Sequence, residues 1–275
     1  MKNLPIGYID SGYGGLSVVR QSLRQLPNES IIYFGDNARN PYGTRHLEEV
    51  KAFIWQMTDF LLDKGIKMLV IACNTGTAAA LDEIRQGVDI PVIGVIHPGS
   101  RAAIKETKNH RIGIIGTEGT IQSGLYESVL LKDTNQLQVT SLACPSFVQM
   151  VEDNLMDDDA IQAPIDQKLQ IFKDRQVDTL ILGCTHYPLL SERIQASVGQ
   201  GVKLVDSGVE TVNEITFLLD YFQLSKNAQD AQEHPPTQVY YTTGHVAPFK
   251  EVAQKWLASK NLDVRHVDLE EVNDR

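Results

Sequence analysis

Apolar residues in this chain fall into short blocks that stop at glycine or a polar residue, and most blocks are followed by a stretch whose apolar positions lie three or four apart. The first pattern predicts strands buried on both faces, the second amphipathic helices. Strands are expected at residues 5–10, 30–35, 66–72, 90–96, 112–116, 137–142, 177–183, 202–206, 238–243 and 263–267. Helices are expected near 16–23, 47–64, 75–86, 100–108, from 117, across 148–152, over 156–175, from 188, over 209–222 and over 246–259. Gly65 closes the second of these. The polar, proline-containing stretch 225–237 reads as a loop. Strands alternating with helices predict an α/β fold with mainly parallel sheets.

Within that alternation one plan occurs twice. Ile71-Ala72-Cys73-Asn74-Thr75 has its counterpart in Leu182-Gly183-Cys184-Thr185-His186, with the cysteines 111 positions apart. Ile6-Gly7-Tyr8-Ile9-Asp10-Ser11 echoes Ile112-Gly113-Ile114-Ile115-Gly116-Thr117 at an offset of 106. The repetition predicts two pseudo-symmetric α/β lobes, each setting one cysteine on its side of an interlobe cleft. His97-Pro98-Gly99 marks the boundary, giving a first lobe of residues 1–97 and 207–275 and a second of 98–206. A cysteine on a strand-to-helix turn lies at the carboxyl edge of its sheet, where the helix N-terminus favours a thiolate. A lone cysteine after an apolar strand is usually a small core residue. Two at matched places point to chemistry.

At 275 residues the chain is long enough for two cores, and its 42% hydrophobic and 22% charged residues are ordinary for a globular protein. A net charge of −10 argues against a nucleic-acid partner, which needs a basic face. The N-terminal residues leave no room for a signal-peptide core or a spanning helix, so a cytoplasmic protein with no membrane partner is expected. Three cysteines without a CxxC argue against a disulfide framework, and no metal site is expected from Cys73, Cys144, Cys184 and His186.

The turn from Ser11 to Gly15 lacks the spacing of a dinucleotide fingerprint, though its glycines can bring N–H groups close to an anion. The loop from Asp36 to Thr44, with Pro41-Tyr42-Gly43, follows a strand end and reads as a substrate contact. By residue pattern alone His97 is a structural turn residue, Cys144 a buried structural thiol, Glu152 a solvated carboxylate and Asp206 a helix cap.

Ile9-Asp10-Ser11-Gly12 with Gly14-Gly15-Leu16, Gly35-Asp36 with Pro41-Tyr42-Gly43, Ala72-Cys73-Asn74-Thr75, Gly116-Thr117, Val151-Glu152 and Gly183-Cys184-Thr185-His186-Tyr187-Pro188 together resemble the glutamate racemases of the aspartate/glutamate racemase family. The matches span nearly the whole chain in order. Asn37, Gly76 and Tyr13 depart from the threonine, alanine and smaller aliphatic residue usual there. The resemblance implies cofactor-independent interconversion of L- and D-glutamate for peptidoglycan synthesis, by a homodimer. It implies that Cys73 and Cys184 exchange the α-proton on opposite faces, one as thiolate and one as thiol, with Cys73 serving D-glutamate and Cys184 L-glutamate. It places Asp10 beside the first cysteine, His186 beside the second, and Glu152 behind His186. Substrate contacts carried over are Asp10, Ser11, Pro41, Tyr42, Gly43, Asn74, Thr75, Thr117, Thr185 and His186. A two-cysteine racemase acting on aspartate or hydantoins remains open at this point. So does a non-catalytic amino-acid-binding protein, which leaves the matched cysteines without a purpose.

Overall fold

Every strand pairing in the two sheets is parallel, so each return to a sheet edge needs a crossover, and the helices that supply it cover both faces. A computed structural model describes residues 1–132 and 136–269; residues 133–135 of the expected second lobe and 270–275 of the expected first lobe lie outside the described residues. In chain order the elements are β1 (Ile6–Asp10), α1 (Leu16–Gln25), β2 (Ile31–Gly35), α2 (Leu47–Asp63), β3 (Met68–Ile71), α3 (Asn74–Gly87), β4 (Val92–Gly94) and α4 (Ile96–Glu106). Then come β5 (Arg111–Gly116), α5 (Glu118–Gln122), α6 (Leu125–Leu131), β6 (Gln138–Ala143), α7 (Pro145–Glu152), α8 (Gln162–Asp174), β7 (Thr179–Gly183), α9 (Ser191–Val198) and β8 (Lys203–Asp206). The chain continues through α10 (Ser207–Tyr221), α11 (Ala228–Glu233), β9 (Gln238–Thr242), α12 (Val246–Leu257) and β10 (Asp263–His266).

The first sheet has the order β10-β9-β2-β1-β3-β4 and the second β6-β5-β7-β8. This is the α/β class expected, with mainly parallel sheets. β1, β2, β3 and β7 are buried along their whole length, as their unbroken apolar runs require. β9 pairs with β2, which returns the C-terminal strands to the first sheet, and the more exposed β10 forms its edge.

The repeat in the sequence is a repeat in register. Ile6 lies opposite Met68 and Ile9 opposite Ile71; Ile112 lies opposite Thr179 and Ile115 opposite Leu182. These are the positions that the offsets of 106 and 111 relate. The strand order β2-β1-β3-β4 is likewise matched by β6-β5-β7-β8. The ends of β3 and β7, each followed by its cysteine, therefore occupy equivalent places in the two sheets.

Three expectations need correction. His97-Pro98-Gly99 is the first turn of α4, not a turn between elements. Proline is accepted there because the first helical N–H groups have no partner to lose. Gly99 serves packing, since a Cβ would come within 2.9 Å of the Ser207 Cβ on α10. The helix expected from residue 156 starts later, with a 3-10 turn at Asp159–Ile161 leading into α8. The loop expected over 225–237 contains α11, opened by a reciprocal capping box between Asn227 and Asp230. None of its residues is buried, so no apolar period announces it.

Helix α10 packs against both α1 and α4. The segment after it is clipped to the first sheet by buried Lys67, which donates to the carbonyls of Lys2 at 2.9 Å and Leu224 at 2.8 Å and pairs with Glu29. Asp206 caps α10 through the N–H groups of Gly208 and Val209, as expected. Among the described residues no helix is long and apolar enough to cross a membrane.

Candidate active site

β3 delivers Cys73 to the N-cap of α3, where its sulfur accepts the Gly76 N–H at 3.3 Å. A Cβ on Gly76 would meet the Ile54 Cδ1 at 2.6 Å, so this chain fills with isoleucine the space that alanine would need. A helix N-terminus favours a thiolate, but here it is outweighed. Burial, then the nearby Asp10 carboxylate, pushes the Cys73 thiol up to about 12.

The second cysteine has a different local frame. The chain leaves β7, makes a 3-10 turn at Tyr187–Leu190, and only then enters α9, so Cys184 does not cap an α-helix as its sequence pattern suggested. Its company is instead His186, whose Nδ1 lies 3.7 Å from the Cys184 sulfur. His186 Nε2 is 3.2 Å from Glu152 Oε1. Burial pulls the imidazole down, yet the Cys184 and Glu152 side chains outweigh it and lift His186 to about 10. Burial pushes Glu152 the other way, and the bonds from His186 and Asn40 hold its carboxyl below the usual range. Glu152 is thus a hydrogen-bonded acid at the end of α7, not a freely solvated one. It meets His186 only because β6 and β7 flank β5 in one sheet.

Asp10 lies behind this layer. Fully buried, it accepts the Gly12 N–H at 3.0 Å and the Thr185 hydroxyl at 3.5 Å. Burial raises its carboxyl, with His186 opposing. Among the described residues its side-chain hydrogen-bond partner is in the Cys184 turn. The glycine turn after β1 permits close approach: a Cβ on Gly14 would come within 2.0 Å of the Thr185 Oγ1 and 2.8 Å of the His186 ring. Ser17, one turn on, donates to the Thr185 carbonyl at 3.0 Å.

Both cysteines, each 6% exposed, line one cavity of about 270 Å³. Ser11, Pro41, Tyr42, Gly43, Asn74, Thr75, Thr117, Glu152, Thr185 and His186 line it too, so of the expected site residues only Asp10 stands back from it. The Tyr42 hydroxyl is engaged with Asp36 and turned to that use. Thr75 and Thr117, from opposite sheets, join their hydroxyls at 2.9 Å. Asn74 Oδ1 accepts the Tyr126 hydroxyl at 2.7 Å, which leaves Asn74 Nδ2 a buried donor with no partner among the described residues. Cys144 is buried away from the cavity, as expected of a structural thiol.

The sequence reading missed Asn40, Glu118, Val148 and Gln149 in the cavity wall, and Tyr126 behind Asn74. The loop containing Asn40 gave a signal; α5, α6 and α7 gave none for these positions. No group of histidine, cysteine and carboxylate side chains among the described residues is arranged to hold a metal ion. Chemically, the site offers two sulfur acids or bases at one small cavity, a protonated imidazole beside one of them, and hydroxyl and amide donors around the rest.

Two parallel sheets of one repeated plan, each ending in a cysteine at a shared cavity, define a class as well as a site. The sequence profile of the Asp/Glu/hydantoin racemases matches residues 6–215, and the chain belongs to that family, a racemase and so an isomerase. Within the family its likeness is to glutamate racemases. The glutamate racemase of Carnobacterium sp. (strain St2) is 53% identical over 270 residues, covering 98% of this chain and 100% of that protein. The crystal structure of a glutamate racemase isoform from Bacillus anthracis, 44% identical, matches with a TM-score of 0.93 over 98% of this chain and 99% of that one. That of the Francisella tularensis glutamate racemase in complex with D-glutamate, 34% identical, matches with a TM-score of 0.90 over 98% and 100%.

Proposed function

We propose that this racemase interconverts L- and D-glutamate without a cofactor, using Cys73 and Cys184 as acid and base on opposite faces of the α-carbon. The observation that carries the reading is the unequal setting of two equivalent cysteines: Cys73 a neutral thiol, Cys184 beside a protonated His186. One thiolate and one thiol at a single cavity is the state a two-base racemase needs to begin. Cys184 takes the α-proton of L-glutamate while the Cys73 thiol returns one to the other face. D-glutamate runs the sequence backwards.

The amide of Asn74, freed for a ligand by Tyr126, and the hydroxyls of Ser11, Thr75, Thr117 and Thr185 suit the two carboxylates of glutamate. Glutamate is also the ligand of the Francisella relative. Acid–base catalysis supplies about 10²- to 10⁴-fold, so hydrogen bonds to the carbanionic α-carboxylate in this enclosed site supply much of the remainder. His186 and Glu152 set the proton on the Cys184 side, and Asp10, whose charge helps to keep the Cys73 thiol protonated, stands on the Cys73 side while it accepts from Thr185.

On this reading the lobes are residues 1–97 with 207–275 and residues 98–206, and the enzyme supplies D-glutamate for peptidoglycan from the cytoplasm. The face of α4 and α10 supports the reading as a homodimer. Phe217 and Tyr221, 65% and 70% exposed, stack there beside Phe222. Arg101 is paired with Glu214 in the groove beside them, and Lys105 and Glu210 line the same groove, so residues of both signs border the aromatic patch.

Circular dichroism of purified protein with L-glutamate, D-glutamate and L-aspartate, no cofactor added, tests the substrate. In deuterated water, product should carry deuterium from the first turnovers while unreacted substrate stays protonated. Substrate that gains deuterium as fast as product overturns the two-base mechanism.

A further inference from the structure

We infer that Asn40 is a positioning residue for the Cys184 half of the reaction, holding the Glu152 carboxylate on His186 from across the cleft. The inference rests on the two-base reading. Asn40 lies in the loop between β2 and α2, and Glu152 ends α7, so the two approach the cavity from different sheets. Asn40 Nδ2 donates to Glu152 Oε1 at 3.0 Å, the oxygen that also stands 3.2 Å from His186 Nε2. A neutral donor suits this place. A cation would compete with His186 for the carboxylate, and an anion would repel it.

The amide rests against the turn after β1, while the acid it holds ends a helix. A Cβ on Gly12 would come within 3.3 Å of the Asn40 Cγ, so the side chain rests on the backbone turn that Asp10 caps. Glu152 is the last residue of its helix and its side chain is 24% exposed. Without Asn40 the carboxylate can turn to water, and His186 then loses the partner that fixes its ring against the Cys184 sulfur. Cys73 does not lean on Glu152: its sulfur is held by the Gly76 N–H and the Ser11 side chain. The consequence of losing Asn40 is therefore one-sided.

Racemisation rates cannot separate the halves, because the equilibrium constant ties kcat/KM in the two directions. Elimination from β-chloroglutamate can. One cysteine thiolate takes the α-proton, chloride leaves with the C–Cl electron pair, and the resulting enamine takes up water to give 2-oxoglutarate and ammonium. The variants Cys73→Ala and Cys184→Ala first show which enantiomer each sulfur deprotonates. Asn40→Ala should then lose roughly tenfold in elimination from the Cys184 enantiomer and less than about twofold from the other. Asn40→Asp, equal in size but facing Glu152 with an acceptor, should lose more on the same enantiomer. Equal slowing of both enantiomers by Asn40→Ala, or an Asn40→Asp enzyme as fast as Asn40→Ala, overturns the inference alone. Single-cysteine variants that fail to separate the enantiomers bring down the two-base reading and this inference with it.

Discussion

The Ser17 hydroxyl donates to the Thr185 carbonyl at 3.0 Å, so the first helix of the chain holds the turn that carries the second cysteine. Ser17→Ala should cost about 1 kcal/mol of stability and lower kcat several-fold. Gly14→Ala is the stronger test, because its methyl group has no room beside Thr185 and His186. We expect a folded protein with kcat reduced about a hundredfold or more. A Gly14→Ala enzyme with wild-type kcat and unchanged Tm would show that this contact does not set the site.

Stability should fall on the alkaline side. His186 titrates at about 10 in the folded protein against an ordinary 6.5, so its contribution is complete below about pH 6.5 and is lost as pH rises to about 10. Cys73, raised from 9.0 to about 12, adds a further loss above about pH 9. Urea unfolding from pH 6 to 10 should show a decline approaching about 1.4 kcal/mol per pH unit where one proton separates the states. His186→Gln should flatten the part below pH 9. An unchanged slope in that variant would place the titration elsewhere.

The three thiols should alkylate in a fixed order. Cys184, beside a protonated imidazole in an accessible cavity, should react with iodoacetamide first, and glutamate should protect it. Cys73 should follow slowly, and Cys144, buried elsewhere, should stay free until the protein unfolds. Peptide mass spectrometry along the inactivation course decides the matter. Loss of activity with only Cys144 modified would falsify the assignment.

Tyr126→Phe removes one hydroxyl and leaves the ring packed against Gly183. The Asn74 amide then has no fixed orientation, and its donor no longer faces a ligand by default. KM for both enantiomers should rise about five- to tenfold, since a lost hydrogen bond to a charged group is worth on the order of 1.5 kcal/mol or more. KM unchanged for either enantiomer would show that Asn74 is oriented by something else.

How much of this was legible in sequence depends on how local each signal is. The strands around Cys73 and Cys184, their mutual register and the turn after β1 are written in adjacent residues, and the structure keeps them. The 3-10 turn after Cys184 was not legible, because Pro188 and the leucines after it suit the first turn of either helix type. α11 escaped because it buries nothing, and His97-Pro98-Gly99 was misread because proline and glycine mark loops more often than first helical turns. Asn40, Gln149 and Tyr126 were missed for another reason. Their importance comes from facing a second sheet, and no window along the chain contains both partners.

A chain made only of L-residues cannot contain a mirror, yet a racemase must accept two molecules that are mirror images. Rotation is the nearest operation open to it, and a segment repeated in the same register provides one. On the two-base reading, turning about such an axis carries a sulfur above the substrate to a sulfur below it. The axis is imperfect at the atoms that matter most: Asn74 answers to Thr185, Thr75 to His186, and Asp10 to Gly116. Handedness is thus cancelled in the scaffold and restored in the side chains, so an inhibitor shaped for one enantiomer's encounter need not fit the other's.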